Sequence, residues 1–290
     1  MTNRPRTNLR AALAAGLILL ASQLAGCATL PGAETARGLD GNVEVSYLPG
    51  PAPTVVFEAG LGAHKESWTT VFREVARTNG VFAYDRPGIG RSTSTERPRD
   101  GAAIVEELRA LLRGRGLGPP YVLVGHSAGG LYMQLYARLH PEEVVGLVLV
   151  DSTHPTQFEG EGSLANRGAL AWGIMALAGG IGPIRPEFDA LPQTGAEVLA
   201  APPLYTRIAT VILLARNDGN GPAAAFDKAK RADFARLYPT AQIRWIDSSH
   251  NIPGEKPDAV VEAVRWVLAQ PRSQQTFGFA DAPRPAIPGP

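Results

Sequence analysis

Gly125-His126-Ser127-Ala128-Gly129 sets a serine between small residues, and its flanks say what that serine could do. Tyr121-Val122-Leu123-Val124, behind Pro119-Pro120, is a short apolar run of the length of a buried strand. Leu131 to Leu139 is apolar at helical spacing and stops before Pro141. A serine at a sharp strand-to-helix turn sits on a strained backbone, and the residues two before and two after it must be small for strand and helix to approach. The helix start also aims free N–H groups and a positive dipole end at any anion formed beside the hydroxyl. G-x-S-x-G arises by chance in many chains. Between this strand and this helix it predicts a nucleophile rather than an ordinary glycine turn.

Such a serine needs a base, an acid to orient the base, and donors for an oxyanion. Ala241 to Ile246 alternates like a half-buried strand, Asp247-Ser248-Ser249-His250 follows as a loop, and Pro257 to Leu268 reads as an amphipathic helix. A histidine in the loop after a strand can reach a serine at the same sheet edge, so His250 is the expected base. His140 at a helix end and His154 in an irregular region read as surface or packing residues, and His126 as structural. Thr210 to Ala215 is a further buried strand ending in Arg216-Asn217-Asp218, which makes Asp218 the preferred acid. Asp151, closing the strand Val144 to Val150, is its competitor, and Asp247 is better suited to shaping the turn before His250.

The oxyanion donors should be main-chain N–H groups. Ala128, after the serine, offers one. Thr54 to Glu58 is a strand running into Ala59-Gly60-Leu61-Gly62, a turn suited to presenting the N–H of Leu61. A dinucleotide-binding reading of Gly60-Leu61-Gly62 fails at the third glycine, where Lys65 stands, and no phosphate-cradling G-x-x-x-x-G-K-[ST] run occurs.

With these pieces in order the chain resembles the α/β-hydrolase family from roughly Val43 to Leu268, most closely its small esterase-like members. The family's chain order of Ser, acid, His fits Ser127, Asp218 and His250. Ala83 to Ser92 resembles the family's strand and following loop, in which Asp85 and Ser92 are expected to hold the turn. Gly146 to Pro155 resembles the strand that leads into a cap. One departure is Ala59, where the family often has histidine; main-chain donors tolerate it, but Glu58 then needs a hydrogen-bond partner. The resemblance implies a mostly parallel sheet flanked by helices with a small helical cap, and a serine hydrolase of carboxylic esters acting through an acyl-enzyme, without cofactor or metal. A C–C hydrolase, thioesterase, amidase or cofactor-free haloperoxidase would use the same triad. A catalytically inactive envelope binding protein is the reading from a different class.

Length and composition, 290 residues at 44% hydrophobic, suffice for one large α/β domain over residues 42–270. Nearly sixty residues between Asp151 and Thr210 are too many for a plain loop and predict a cap over about 152–206. Within it Leu170 to Ala178 reads as a short apolar helix, with Trp172 and Met175 as candidate acyl-pocket walls. Gly179, Gly180, Gly182, Pro183 and Pro186 suit a cap that can shift.

The ends differ in kind. Arg4, Arg6 and Arg10 precede an apolar stretch from Ala11 to Ala25, a match to a secretory signal over residues 1–26. Leu24-Ala25-Gly26-Cys27 resembles the lipobox of bacterial lipoproteins, with lipidation of Cys27, the one cysteine of the chain. A plain signal peptide is the alternative, giving a secreted or periplasmic soluble protein. Residues 27–41 read as a tether, and residues 271–290, with five prolines, as a disordered tail. Residues 1–26 hold three of the 28 basic residues and none of the 27 acidic ones, so their loss takes the net charge from +1 to −2. That balance gives no electrostatic case for nucleic acid. Membrane attachment would rest on acyl chains at Cys27 in the cell envelope, and Ala28 after the cysteine, by resemblance to lipoprotein sorting signals, favours the outer membrane.

Overall fold

Alternation within the strands creates two packed faces. In the strand Thr54–Glu58 (β3), Val55 and Phe57 turn to one side and Val56 to the other. The strand Tyr121–His126 (β5) repeats this with Val122 and Val124 against Tyr121 and Leu123, and Val144–Val150 (β6) with Val148 and Val150 against Leu147 and Leu149. A strand apolar on both faces must be covered on both, which is the condition for a buried parallel sheet.

The computed structural model describes residues 29–163, 181–204, 208–216 and 222–271. Around the three central strands stand Ala33–Arg37 (β1), Asn42–Leu48 (β2), Val81–Tyr84 (β4), Ala209–Ala215 (β7) and Gln242–Ile246 (β8), in the order β1-β2-β4-β3-β5-β6-β7-β8. β1, β2 and β4 pair antiparallel, and all remaining pairs are parallel. Helices Thr69–Val75 (α1) and Pro257–Leu268 (α7) cover one face; Val260, Val261, Val264 and Val267 form the apolar stripe of α7. Gly101–Gly114 (α2), Ala128–Leu139 (α3), Ile181–Ala200 (α4) and Pro222–Leu237 (α5) bring residues to the other face, and the short Ile252–Glu255 (α6) precedes α7. α2 is capped by Asp100, whose carboxylate accepts the N–H of Ala103 at 3.0 Å. α3 is buried from Ala128 to Arg138, so the helix after the serine is held on nearly every side.

The chain passes from β3 to β4 on one side of β3, then returns to place β5 on the other. This reversal opens a crevice at the carboxyl ends of β3 and β5, where open α/β sheets bind their ligands. The register aligns those ends: Glu58 lies opposite Gly125, His126 opposite Val150, Val150 opposite Leu213, and Ala215 opposite Ile246.

The strands and helices expected around Ser127 and His250 are all present, with α7 at the expected bounds. The expected tether over 27–41 needs correction. Residues 33–37 form the edge strand β1, hydrogen-bonded to β2, and only Ala36 of the five is buried. A strand with four exposed residues has too little apolar alternation to be read as one. The cap residues 181–200 form one helix despite Pro186 and Pro192 within it; prolines argue against a helix interior, which is why the sequence gives no sign of a helix of this length here. α5 was likewise not anticipated. The apolar helix 170–178 with Trp172 and Met175, the signal and lipobox segment through Cys27, and residues 272–290 lie outside the described residues.

Candidate active site

Ser127 follows β5 with φ 54° and ψ −124°, a backbone region that costs a residue with a side chain roughly 1–3 kcal/mol. Its N–H donates to Val150 O at 3.2 Å, and its carbonyl accepts from Thr153 N–H at 3.0 Å, so neighbouring β6 and the segment after it hold the turn. Space dictates the flanking glycines. A Cβ at Gly125 would meet Gly129 O at 2.6 Å, and one at Gly129 would meet Glu58 O at 2.4 Å.

His250 stands in the loop after β8, its side chain half exposed, with Nδ1 2.6 Å from Asp151 Oδ2. Glu255 holds that loop by accepting from Ser248 Oγ at 2.8 Å and Ser249 N–H at 2.9 Å. His126 Nε2 lies 2.9 Å from the carbonyl of His250, and the two rings are 4.7 Å apart. Burial, together with repulsion from His250, brings the His126 pKa down to about 4. The neutral ring must then carry its proton on Nε2 to donate to that carbonyl. The expected structural role of His126 therefore acquires a content: it fastens the loop of His250 to the turn of Ser127.

Asp151 terminates β6 at φ 39°. Its N–H donates to Leu213 O at 2.8 Å, and its Oδ1 accepts the N–H of Ala215 at 2.9 Å. This tie across β7 carries the carboxylate toward the loop after β8. Arg231 of α5 grips it with two bonds, Nε to Oδ1 and Nη2 to Oδ2, both 2.6 Å. Burial alone would raise the Asp151 pKa; the bonds from His250 and Arg231 overcome it and hold the carboxyl at about 2. Of the two strand-end acids weighed in the sequence, Asp151 is the one among the described residues. Nδ1 of His250 is engaged by Asp151, the competitor, while Asp218 lies outside the described residues. Two strand-end acids look alike in sequence, and neither the positive φ of Asp151 nor its bond across β7 carries a sequence signal. Arg231 was missed altogether, since a basic residue on an amphipathic helix carries no signal of what it faces.

The loop after β3 lies against the serine: a Cβ on Gly60 would be 3.3 Å from Ser127 Cβ. Gly60 thus borders Ser127, with Leu61 next in that loop, and Ala128 opens α3 beside the serine. The partner that Glu58 requires is double. Tyr84 Oη donates to one carboxylate oxygen at 2.6 Å and Arg86 Nη1 to the other at 2.6 Å. Asp85 and Ser92 hold their turn as expected. Asp85 accepts from Lys65 N–H at 2.7 Å, and Ser92 Oγ donates to Asp85 O at 2.7 Å. His154 is buried against Phe234, with ring centroids 5.1 Å apart. A cavity of about 460 Å³ opens beside Asp151 and His250, bordered by Ser152, Thr153, Lys230 and Arg231.

His64, Glu66 and Asp85 bring donor atoms of metal-ligand type within 4.8 Å of one another. The ammonium of Lys65 already lies 3.0 Å from Asp85 and 3.1 Å from Glu66, so a cation charge is supplied there by the chain itself.

The sequence model of the alpha/beta hydrolase family matches residues 55–263. An uncharacterised Bacillus subtilis protein, YqjL, is 38% identical over 98 residues, 34% of this chain and 39% of that protein. An AB hydrolase superfamily protein of Gibberella zeae is 33% identical over 104 residues, 34% of this chain and 32% of its own length. The chain thus spans less than half the length of these relatives. Among solved structures, a thermophilic esterase from Thermogutta terrifontis superposes with a TM-score of 0.59 at 21% identity, covering 81% of this chain and 97% of that one. The enol-lactonase of Burkholderia xenovorans LB400 gives 0.57 at 19% identity, covering 82% and 100%. An epoxide hydrolase from metagenomes of hot environments gives 0.60 at 17% identity, covering 83% and 99%. Likeness at these identities is a likeness of fold.

Proposed function

The chain belongs to the alpha/beta hydrolase family, and from that premise we propose that it is a serine hydrolase of carboxylic esters, with Ser127 as nucleophile, His250 as base and Asp151 as the orienting acid. The observation that carries this reading is the 2.6 Å contact of His250 Nδ1 with Asp151, set on the strand next to the one that ends in Ser127. With Nδ1–H donated to a carboxylate, Nε2 is left as the lone-pair nitrogen that can take the serine proton.

Ser127 Oγ attacks the ester carbonyl carbon while His250 Nε2 accepts its proton. The carbonyl oxygen becomes an anion held by the N–H groups of Leu61 and Ala128, each such donor worth roughly 3 kcal/mol of barrier. On collapse the C–O bond to the alcohol breaks, and His250 returns the proton to the leaving oxygen. Water then loses a proton to His250 and attacks the acyl carbon. The acid leaves, and Ser127 regains its proton. Asp151 remains ionised throughout, and its charge opposite the imidazolium stabilises each proton-bearing state.

The test is hydrolysis of a panel of p-nitrophenyl esters, thioesters, amides and a β-diketone by the chain and by Ser127→Ala. Ester turnover lost in the variant supports the reading. Turnover confined to thioester, amide or β-diketone would replace the substrate class, and undiminished activity of the variant would remove Ser127 from the mechanism.

A further inference from the structure

Arg86 leaves β4 and lies beneath the loop after β3, with its side chain 1% exposed. Nη1 donates to Ala59 O at 2.8 Å, and Nη2 donates to Gly60 O at 2.8 Å. Nε lies 3.0 Å from both carboxylate oxygens of Glu187 on α4, and the guanidinium sits over the ring of Tyr132 on α3, 5.4 Å from its centroid. One cation thus touches the loop beside the serine, the helix that follows the serine, and the cap. Glu187 is fully buried and also takes Arg99 Nη2 at 2.9 Å. A second contact joins loop and cap: Gly62, at φ 66°, packs so close to Ile184 that a Cβ would come within 2.7 Å of its Cδ1.

The direction of the Gly60 carbonyl has a consequence in the next residue. In a trans peptide the N–H points opposite the C=O of the same plane. A guanidinium that holds Gly60 O therefore turns the N–H of Leu61 away from Arg86, and the bond of Ala63 N–H to Gly60 O, at 3.2 Å, fixes the same plane. A charged donor on the carbonyl also polarises the peptide and strengthens its N–H as a donor. The Leu61 N–H is the group that the proposed mechanism assigns to the oxyanion.

We propose that Arg86 is the positioning residue of the oxyanion hole, aiming and polarising the Leu61 N–H, and that Glu187 sets Arg86 from the cap helix, so that seating of the cap and binding of the transition state are linked. The inference rests on the reading of Ser127 and Leu61 given above. Lysine cannot replace Arg86 here, since one ammonium cannot serve two carbonyls and two carboxylates in a planar fork.

The experiment compares the full chain with Arg86→Lys and Glu187→Gln, with rates expressed per site titrated by a fluorophosphonate. The readings are kcat and KM for a p-nitrophenyl ester, affinity for a trifluoromethyl ketone that forms a tetrahedral anion on the serine, and the Leu61 amide ¹H–¹⁵N resonance. Arg86→Lys should lower kcat on the order of a hundredfold, leave KM within about twofold, weaken ketone binding by a similar factor, and shift the Leu61 resonance. Glu187→Gln, which preserves shape, should move all readings the same way by about tenfold. Should Arg86→Lys fail to fold, Glu187→Gln decides by the same readings. Variants that lose melting temperature but keep kcat, ketone affinity and the Leu61 resonance would overturn the inference and leave the proposed function standing. A native chain with no phosphonate uptake would remove both.

Discussion

Asp151 carries more of the site than its place in the sequence announces. It faces a histidine, an arginine and a backbone N–H at once, and in the proposed mechanism its charge keeps the imidazole in the tautomer that exposes Nε2. Asp151→Asn should lower kcat by about four orders of magnitude, as loss of the orienting carboxylate does elsewhere. Asp218→Asn should change kcat by less than about threefold. Steady-state kinetics on the two variants separates them, and the opposite ranking would restore Asp218 as the acid. At this scale the positions of Ser127, His250 and the loop of Leu61 at strand ends were legible in the sequence, because each stands beside a strand of clear pattern. Arg86 and Arg231 were not legible, since their roles depend on partners 101 and 80 positions away in the chain.

Elements position these residues through close approach and through buried charge. Gly129 meets the carbonyl edge of β3 so tightly that Gly129→Ala should displace either the nucleophile turn or the oxyanion loop. We expect a loss of roughly 2–4 kcal/mol in denaturant unfolding, with activity reduced in the folded fraction. Away from the site, Glu143 joins three elements at the start of β6. It accepts from Tyr136 of α3 at 2.8 Å and from Arg109 of α2 at 2.6 and 3.0 Å. Although burial opposes its charge, these bonds hold its pKa at about 2, below the ordinary 4.5. A depressed carboxylate stabilises the fold above its unfolded pKa, and that contribution is lost as pH falls from about 4.5 toward 2. Glu143→Gln should cost roughly 2–3 kcal/mol near neutral pH and flatten the acid limb of the stability curve, leaving kcat of the folded enzyme unchanged. Thermal melts across pH 2–7 check this; a parallel acid limb in the variant would contradict it. The helices α4 and α5 resisted sequence reading for opposite reasons. Prolines interrupt the pattern of α4, while the apolar signal of α5 is weak, Phe234 being its one fully buried large side chain.

Over the whole molecule, the parallel run of β3 to β8, with the strand order reversing at β3, explains why groups from the loops after β3, β5, β6 and β8 share one edge. That architecture was legible from apolar runs alternating with helical patterns, because a parallel sheet buried on both faces leaves little freedom in strand composition. The short edge strand β1 was not, being mostly exposed. The expectation of lipid attachment at Cys27 belongs to this scale too. Among the described residues no helix is long and apolar enough to cross a membrane. We propose anchoring through acyl chains on the resemblance of Leu24-Ala25-Gly26-Cys27 to a lipobox. Expressed in a bacterium, the chain should partition with membranes and incorporate labelled palmitate, and Cys27→Ser should do neither. Equal partitioning of the two would contradict the anchor.

The central claim is that Ser127, His250 and Asp151 act as one unit. Peptide mapping by mass spectrometry after exposure to a fluorophosphonate tests it most directly. The account predicts a single adduct on Ser127, formed quickly by the native chain and slowed at least a hundredfold in both His250→Ala and Asp151→Asn. An adduct at any other residue, or labelling of Ser127 at the same rate in all three proteins, would contradict it.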